Sequence, residues 1–548
     1  MLLSRFRRFP LLTGEILTAG LFISLLNLAL PIYVIQLLNR FIGHGFEGTL
    51  YTLTCGVLIA IVLQYGFRTL RTSLLAVMNA GPDRALNERV MRALNHIRFD
   101  AVAGLPREKP GEVMTEIRTI QAGWEPANLV PLLDVPFALL YLAALAFLSP
   151  LLAWIALAGS LTGLAAGSYS TLANTRLANR LAEMFTTYRM HELKALSAPE
   201  TVRAFNGETL LEVRRNRLLP LLSDLQLRLA RRREKGQSFV TSIGALQSVL
   251  VYSAGAVLVV RGDINVGILI GANILAGRAF QSVAQLFRSI HLLRQAARSM
   301  TSLERLTRLP AERREGVEIP GYRGGLALHD LSFTWPGGSS PLFESLSLTL
   351  EPGAILVVTG SNGSGKTTFI RLLAGLLESG RGDILADGIN LRQVGMDWWR
   401  RQLIYLPQEP DFLAGSILDN LTLNRPVDET RLTGALQAAA LRDYLDRAPD
   451  GIETIITDTS RIPPGIRKRI ALARSLMTDG PLVLFDEPTE ALDREGCAAV
   501  YELLNRMARR GKTMVICGND PQIVKAATLL LDLNRKPVPR ITTSHDSE

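Results

Sequence analysis

The sequence predicts a membrane-embedded all-α half of six helices followed by an α/β half built on a parallel sheet. Three observations carry that prediction. The 548 residues exceed one ordinary domain, and 48% hydrophobic against 20% charged residues is a rich balance for a chain that meets only water. Six apolar runs, 16–38, 49–67, 128–148, 151–174, 239–260 and 264–287, approach the ~20 residues that a helix needs to cross a bilayer, and all precede the last two-fifths of the chain. From Leu326 onward the strands LALHDLSF, LSLTL, AILVVTG, LIYLP, PLVLFDEP and TMVICG alternate with helical stretches, which is the pattern of a parallel sheet covered by helices.

The chain opens with the basic stretch MLLSRFRRFP. The apolar run behind it is too long for the h-region of a signal peptide and has no small-residue cleavage site, so it reads as a retained first span. The links after spans one, three and five are short. Those over 68–127 and 175–238 are long, charged and helix-patterned, with basic runs such as RALNERVMRALNHIR and LRLARRREKG. Excess Lys and Arg mark the cytoplasmic side, which places the N-terminus, both long links and the second half in the cytoplasm of a multi-pass membrane protein. Two ionisable residues fall within spans: Asp134, beside Pro136 in the third, and Arg278 in the sixth. Such groups are costly in lipid; Asp134 serves a function or anchors helices, and Arg278 lines a transport path or pairs with Asp134. A charged connector over 293–325 separates this membrane domain, 1–292, from an α/β domain over 326–534, and the tail 535–548 reads as disordered.

The net charge of +10 is spread over loops and helix faces without a long basic tract, which argues against nucleic acid as a partner and suits a protein surrounded by membrane lipid. Cys55, Cys497 and Cys517 share no metal-like spacing and cannot frame a disulfide scaffold, as expected of a polar half in a reducing compartment.

The strongest chemical signal is Gly360-Ser361-Asn362-Gly363-Ser364-Gly365-Lys366-Thr367, which fits G-x-x-x-x-G-K-[ST] between the strand ILVVT and the helix TFIRLLAGLL. Glycines let backbone N–H groups fold around phosphates, and the helix N-terminus adds partial positive charge. Lys366 reaches the β- and γ-phosphates, and Thr367 supplies a magnesium ligand, with Thr368 in the same turn. The motif in this context predicts ATP and Mg²⁺ as ligands. Far downstream, PLVLFDEP ends an apolar strand in Asp486 and Glu487, at the strand end where parallel sheets bind ligands. Asp486 fits the magnesium role, and Glu487 that of the base which polarises an attacking water.

With six spans ahead of a P-loop NTPase domain, nearly the whole chain resembles the ATP-binding cassette (ABC) transporters: an exporter transmembrane domain followed by an ABC nucleotide-binding domain. The resemblance implies that Trp335 in SFTWPG stacks on adenine, that Gln408 in YLPQEP touches magnesium and faces the membrane domain, and that Asp493 in EALD crosses a dimer interface, although Glu490 stands where a serine is usual. LPIYVIQLLNRF (30–41), LLDVPFALLYLAALAFLSPLL (132–152) and GILIGANILAGRAFQSVAQL (267–286) look like type I secretion ATPases. Those are inner-membrane engines that pass unfolded proteins to a periplasmic adaptor and an outer-membrane channel. PETVRAFNGET (199–209) is similar to the short transverse helix that docks on the partner's nucleotide-binding domain, with Glu200, Arg203 and Glu208 as contacts.

Two stretches depart from the family pattern. The signature L-S-G-G-Q becomes Ile462-Pro463-Pro464-Gly465-Ile466 ahead of RKRIALARSL. In the family its serine hydroxyl and glycine amides grip the γ-phosphate bound to the opposite subunit. Pro463 has no hydroxyl and Pro464 no N–H, which leaves Gly465. Proline is welcome in the first turn of a helix, so the helix through Ile470 to Leu476 is expected to persist. The switch histidine expected after TMVIC is replaced by Gly518-Asn519-Asp520, and Asn519 can hydrogen-bond a γ-phosphate but cannot change charge.

The reading is a half-transporter of a bacterial inner membrane that exports a protein or peptide, with ATPase activity reduced or dependent on a partner. A homodimer would carry two crippled signatures, which favours a heterodimer with a second half-transporter. A hydrolysis-impaired regulatory subunit and an exporter of lipid or small molecules stay open as rivals.

Overall fold

The computed structural model describes residues 6–7, 9–43, 47–103, 109–335, 338, 340–426 and 428–543; parts of the basic N-terminal stretch (1–5 and 8) and the end of the tail (544–548) lie outside the described residues. The chain divides into two compact units, 1–95 with 107–308, and 96–106 with 309–548.

In the first unit six helices are long and apolar enough to cross a membrane: Pro10–Ile42, Glu47–His96, Val113–Leu148, Pro150–Leu193, Glu208–Val260 and Val266–Thr307. They contain the predicted apolar runs, except that the sixth begins behind a cap, where Asn265 Oδ1 accepts from the Ile268 N–H at 2.9 Å. The long links are continuations of these helices. At 1.5 Å per residue the 50 residues of Glu47–His96 extend about 75 Å, more than twice a bilayer core. Leu58, Ile59, Ile61 and Val62 along it are exposed, as side chains facing lipid are. Contact between helices is made where small residues admit a neighbour. Along the helix Pro150–Ser197, a Cβ on Gly159, Gly163 or Gly167 would strike Gln247 at 2.2 Å, Phe280 at 2.7 Å or Phe287 at 2.5 Å. Close packing of this kind is what holds helices together in lipid, where hydrophobic exclusion is absent.

The second unit holds a small antiparallel pair, β7 (Gly415–Ser416) with β8 (Ile455–Ile456), and two main sheets. In the antiparallel one, β1 (Leu326–Phe333) pairs with β2 (Phe343–Leu350) and β4 (Arg381–Ala386), and β4 with β5 (Ile389–Asn390). The other has the order β12-β11-β3-β10-β9-β6, where β3 (Ile355–Thr359), β6 (Leu403–Leu406), β9 (Leu482–Asp486), β10 (Thr513–Cys517) and β11 (Leu529–Asp532) run parallel and β12 (Arg540–Thr543) closes the edge antiparallel. Strands β9 and β10 are buried along their whole length because helices or sheet cover both faces, so they read as unbroken apolar runs. Alternate residues serve different cores. Leu484 and Val515 pack with Phe369 and Trp399, whereas Val483, Phe485 and Ile516 pack with Ile470, Leu472 and Leu503. Trp399 is fully buried, and its indole N–H donates to the Leu373 carbonyl at 3.0 Å.

Two expected segments differ. The connector 293–325 is helical as far as Thr307, because Ala296 and Leu303, with Leu293, Met300 and Leu306, fall at helical spacing on the core of the first unit. Its remainder belongs to the second unit, where Ile319 and Tyr322 are buried. The tail, expected to be disordered, pairs through β12 with β11, and Ile541 packs on the core.

Candidate functional site

Lys366, Thr367, Gln408, Asp486, Glu487 and Asn519 meet at the C-terminal ends of β3, β6, β9 and β10, while Trp335, Gly465 and Asp493 lie on other elements. From β3 the chain turns through Gly360–Gly365 into the helix Lys366–Leu373. Gly365 sits at φ +113°, and a Cβ there would approach Leu342 to 2.8 Å, so only glycine allows this entry. Lys366 is buried; its Nζ donates to the Gly360 carbonyl at 2.6 Å and lies 3.2 Å from Glu487 Oε1. Thr367 Oγ1 donates to Gln408 Oε1 at 3.2 Å, and Gln408 Nε2 donates to Glu490 Oε2 at 3.0 Å. Ser361, Asn362 and Gly363 are exposed at the loop tip, while Ser364 and Thr368 are buried.

Asp486, the last residue of β9, is almost fully buried. Burial pushes its carboxyl above the ordinary carboxylate range, opposed by the Thr367 hydroxyl and the Lys468 ammonium. The next residue, Glu487, adopts φ +46°, a strained value for a side-chain-bearing residue, and its N–H donates to the Cys517 carbonyl at 2.8 Å. That bond ties the Glu487 backbone to the end of β10. Asn519, just beyond β10, grips the glycine loop at two points: Oδ1 accepts from the Gly360 N–H at 3.2 Å and Nδ2 donates to the Gly360 carbonyl at 3.0 Å. Trp335 is 37% exposed just past β1, its ring edge-on to Phe333 at 5.3 Å.

The signature segment keeps a helix, Pro464–Ser475, with Pro463 at its N-cap and no side-chain cap bond. Gly465 packs tightly, since a Cβ there would lie 3.0 Å from the Ala491 carbonyl. Asp493 caps the helix Arg494–Arg509, accepting from the Gly496 N–H at 2.8 Å and from Arg469 at 2.6 Å, and both contacts hold its carboxyl below the usual range.

Sequence reasoning missed four participants. Lys468 is buried, and its ammonium donates to the carbonyls of Pro407, Gln408 and Asp486 at 3.1, 3.1 and 3.0 Å. Burial pulls its pKa down to about 8 against the pull of Asp486, Glu490 and Glu487. Its position three and four residues before the buried Ala471 and Leu472 was a sign that it faces inward. Asn534 Oδ1 accepts from the Ser361 N–H at 2.8 Å. In the stretch 96–106, Phe99 lies 5.4 Å beneath the guanidinium of Arg371, on the helix that begins with Lys366, and Arg98 bonds Glu378. Nothing in the local sequence marked these three.

In the first unit Asp134 is paired with Arg71, not with Arg278: Arg71 Nη1 lies 2.6 Å from Asp134 Oδ1. The choice depended on which helices pack together, and Arg278 lines the same cavity. Glu200, Arg203 and Glu208 are exposed in and beside the helix Pro199–Ala204.

A glycine loop capped by a buried lysine, a hydroxyl beside an amide and a buried carboxylate, and a second carboxylate one residue on, form the site of a P-loop nucleotide-binding protein. Family profiles agree: the ABC transporter profile matches residues 343–490 and the ABC transporter transmembrane region profile residues 14–283. Together they span most of the chain, and the protein belongs to the ABC transporter family, as a half-transporter that joins one membrane-spanning region to one nucleotide-binding domain.

The chain is 24% identical over 530 residues to the Toxin RTX-I translocation ATP-binding protein of Actinobacillus pleuropneumoniae, covering 95% of this chain and 74% of that protein. It is 26% identical over 539 residues to the Alpha-hemolysin translocation ATP-binding protein HlyB of Escherichia coli O157:H7, covering 96% and 74%. Among solved structures, a bacterial Atm1-family ABC exporter with ATP bound superimposes with a TM-score of 0.84 at 20% identity, covering 99% of this chain and 96% of that one. The protein therefore has the ABC exporter fold.

The residues present suit ATP with magnesium. Among the described residues no cluster of three His, Cys, Asp or Glu side chains could hold a metal. A magnesium ion bridging phosphates needs few protein ligands, and a hydroxyl, an amide oxygen and one carboxylate are the hard oxygen donors it takes. Asp486 Oδ1 and Ser364 Oγ are buried without a hydrogen-bond partner, a cost that a ligand would relieve.

Proposed function

We propose that the protein is an ATP-driven exporter of proteins or peptides, working as one half of a dimer in a bacterial inner membrane, in the manner of a type I secretion system. The observation that carries the ATP-dependent part is the convergence of Lys366, Thr367, Gln408, Asp486 and Glu487 at adjoining strand ends, with one oxygen of Asp486 unsatisfied. Similarity to toxin translocators along nearly the whole chain supports the cargo class and a periplasmic adaptor with an outer-membrane channel as partners.

In this reading Thr367, Gln408 and Asp486 hold magnesium, which supplies charge neutralisation on the phosphates. Lys366 exchanges Glu487 for phosphate oxygens. Glu487, released from that ion pair and held by the Cys517 carbonyl through its own N–H, accepts a proton from water. Trp335 stacks on adenine, and the loop-tip amides of Ser361, Asn362 and Gly363 cradle phosphate. Asn519 keeps Gly360 in place and offers an uncharged contact where other family members use histidine. The short helix at Pro199–Ala204 docks on the partner's nucleotide-binding domain through Glu200, Arg203 and the neighbouring Glu208, all exposed.

The partner is a homologous half with an intact signature. Pro463 and Pro464 start the helix without any side-chain donor at its cap, so the signature of this chain contributes little grip to the opposite nucleotide. Purified alone, the chain is expected to bind ATP and hydrolyse it slowly; co-purified with a complementary half it hydrolyses at ordinary exporter rates. Fast turnover by the lone chain would contradict the heterodimer. The two prolines also favour a second reading, a subunit that binds ATP without needing to hydrolyse it. Glu487→Gln separates the two: abolished transport marks a working ATPase, and unchanged transport marks the regulatory subunit.

A further inference from the structure

Four ionisable side chains from three membrane helices converge on one polar cavity of about 380 Å³ in the first unit: Arg68 and Arg71 from Glu47–His96, Asp134 from Pro126–Leu148, and Arg278 from Val266–Thr307. Only one of the three guanidiniums is balanced. The Arg71 side chain is 5% exposed and donates from Nη1 to Asp134 Oδ1 at 2.6 Å, with Nη2 3.5 Å from Oδ2. Its Nε is buried without a partner. Among the described residues neither Arg68 nor Arg278 lies within ion-pair distance of a carboxylate. Three guanidiniums against one carboxylate leave two surplus positive charges, on the exposed Arg68 and the half-buried Arg278, where an entering anion can reach them.

The walls are polar as well. Asn27 donates to the Tyr141 hydroxyl at 3.1 Å, and both line the cavity beside Gln281 and Gln285. Amides and hydroxyls suit a hydrophilic occupant better than an acyl chain. Guanidiniums are planar donors whose geometry matches carboxylate and phosphate oxygens, and the buried Arg71 guanidinium, which lines the cavity, keeps one donor, Nε, unsatisfied. Asp134 then has a defined role, since it holds Arg71 in place and leaves that donor free.

We propose that this cavity is an anion-binding site on the transport route, where Arg68, Arg71 and Arg278 hold a carboxylate or phosphate group of a hydrophilic transported molecule. Its place on the route rests on the export reading; the anion site itself does not.

The test uses the full chain in phosphatidylcholine nanodiscs, with a fluorescent tetraglutamate peptide as probe, tetraglutamine as control, and anisotropy as the readout. Tetraglutamate is expected to bind at least about tenfold more tightly than tetraglutamine. Arg68→Gln and Arg278→Gln should each weaken it about tenfold, as loss of a charge-assisted contact does, and the double variant should abolish it. Arg71→Gln alone would strand Asp134, so the paired variant Arg71→Gln/Asp134→Asn is used, with the same loss expected. Equal binding of the two peptides, or tetraglutamate binding untouched in Arg68→Gln/Arg278→Gln, overturns the site. Exchanging the lipid for phosphatidylglycerol distinguishes the source of the anion. Peptide affinity that survives supports cargo, whereas loss of peptide binding assigns the site to a lipid headgroup and overturns its role in transport. ATP binding is measured on the same sample, so failure of the nucleotide reading shows separately from failure here.

Discussion

Each half of the molecule sets a carboxylate near a buried cation, and the two handle the charge differently. In the membrane unit Asp134 meets Arg71 directly, and the carboxylate is answered by a side chain of its own fold. In the nucleotide-binding unit Asp486 is buried more deeply, yet one of its oxygens has no partner, and Lys468 reaches only its backbone carbonyl. In the proposed function that free oxygen is where a cation would sit. A paired charge fixes geometry, while an unsatisfied buried group calls for an explanation, and at a strand end lined by a phosphate loop a ligand is one. By the same argument the orphan in the membrane unit is the Nε of Arg71, on the cation, which points to an anion there and a cation at Asp486.

The sharpest way to break this comparison is to remove the reacting carboxylate. Glu487→Gln should cut ATP hydrolysis by the complete transporter about 10²–10⁴-fold while labelled ATP still binds; retained turnover would mean that Glu487 is as structural as Asp134. Arg71→Gln should destabilise the membrane unit by about 1–3 kcal/mol because it removes the partner of the part-buried Asp134, and adding Asp134→Asn should restore most of that. Thermal unfolding in detergent reads both, and equal melting of single and double variants would deny the pairing. Lys366→Ala loses charge-assisted bonds worth about 1.5–3 kcal/mol each, so equilibrium binding of labelled ATP should weaken at least tenfold. Lys468→Met leaves three carbonyls without their donor and should lower the melting temperature of the second unit by an amount equivalent to about 1–3 kcal/mol.

The smallest effect concerns Asp411, whose pKa is held below the ordinary value by the Thr459 hydroxyl at 2.6 Å and by the Phe412 amide. A depressed carboxylate adds stability above its unfolded pKa and loses that stability as pH falls through the folded value. The melting difference between wild type and Asp411→Asn should therefore be full at neutral pH and shrink below about pH 4. Because Asp411 is exposed, it amounts to about 0.5 kcal/mol.

Much of the nucleotide site was legible because its parts are local. A glycine loop must be contiguous to cradle phosphate, and a strand must end in its carboxylates to present them, so residues 360–367 and Asp486-Glu487 announce themselves within eight letters. The two prolines at 463 and 464 were equally readable, since their missing hydroxyl and N–H are properties of the residue. Asn519 was read as a contact for phosphate, and the structure shows its amide holding Gly360 at both faces. Lys468 and Asn534 stayed hidden because their bonds span 60 and 173 residues.

By itself, then, the order of residues determined six apolar spans, a parallel-sheet domain behind them, the phosphate loop and the loss of the signature's donors, all of which depend on hydrophobic period or on neighbours a few positions apart. Tertiary structure alone decided that Asp134 takes Arg71 and leaves Arg278 without a carboxylate among the described residues, that the tail pairs as a strand, and that Lys468 binds three carbonyls. Such outcomes depend on which distant segments pack together, and partners in a buried, low-dielectric contact are chosen by that packing rather than by proximity along the chain.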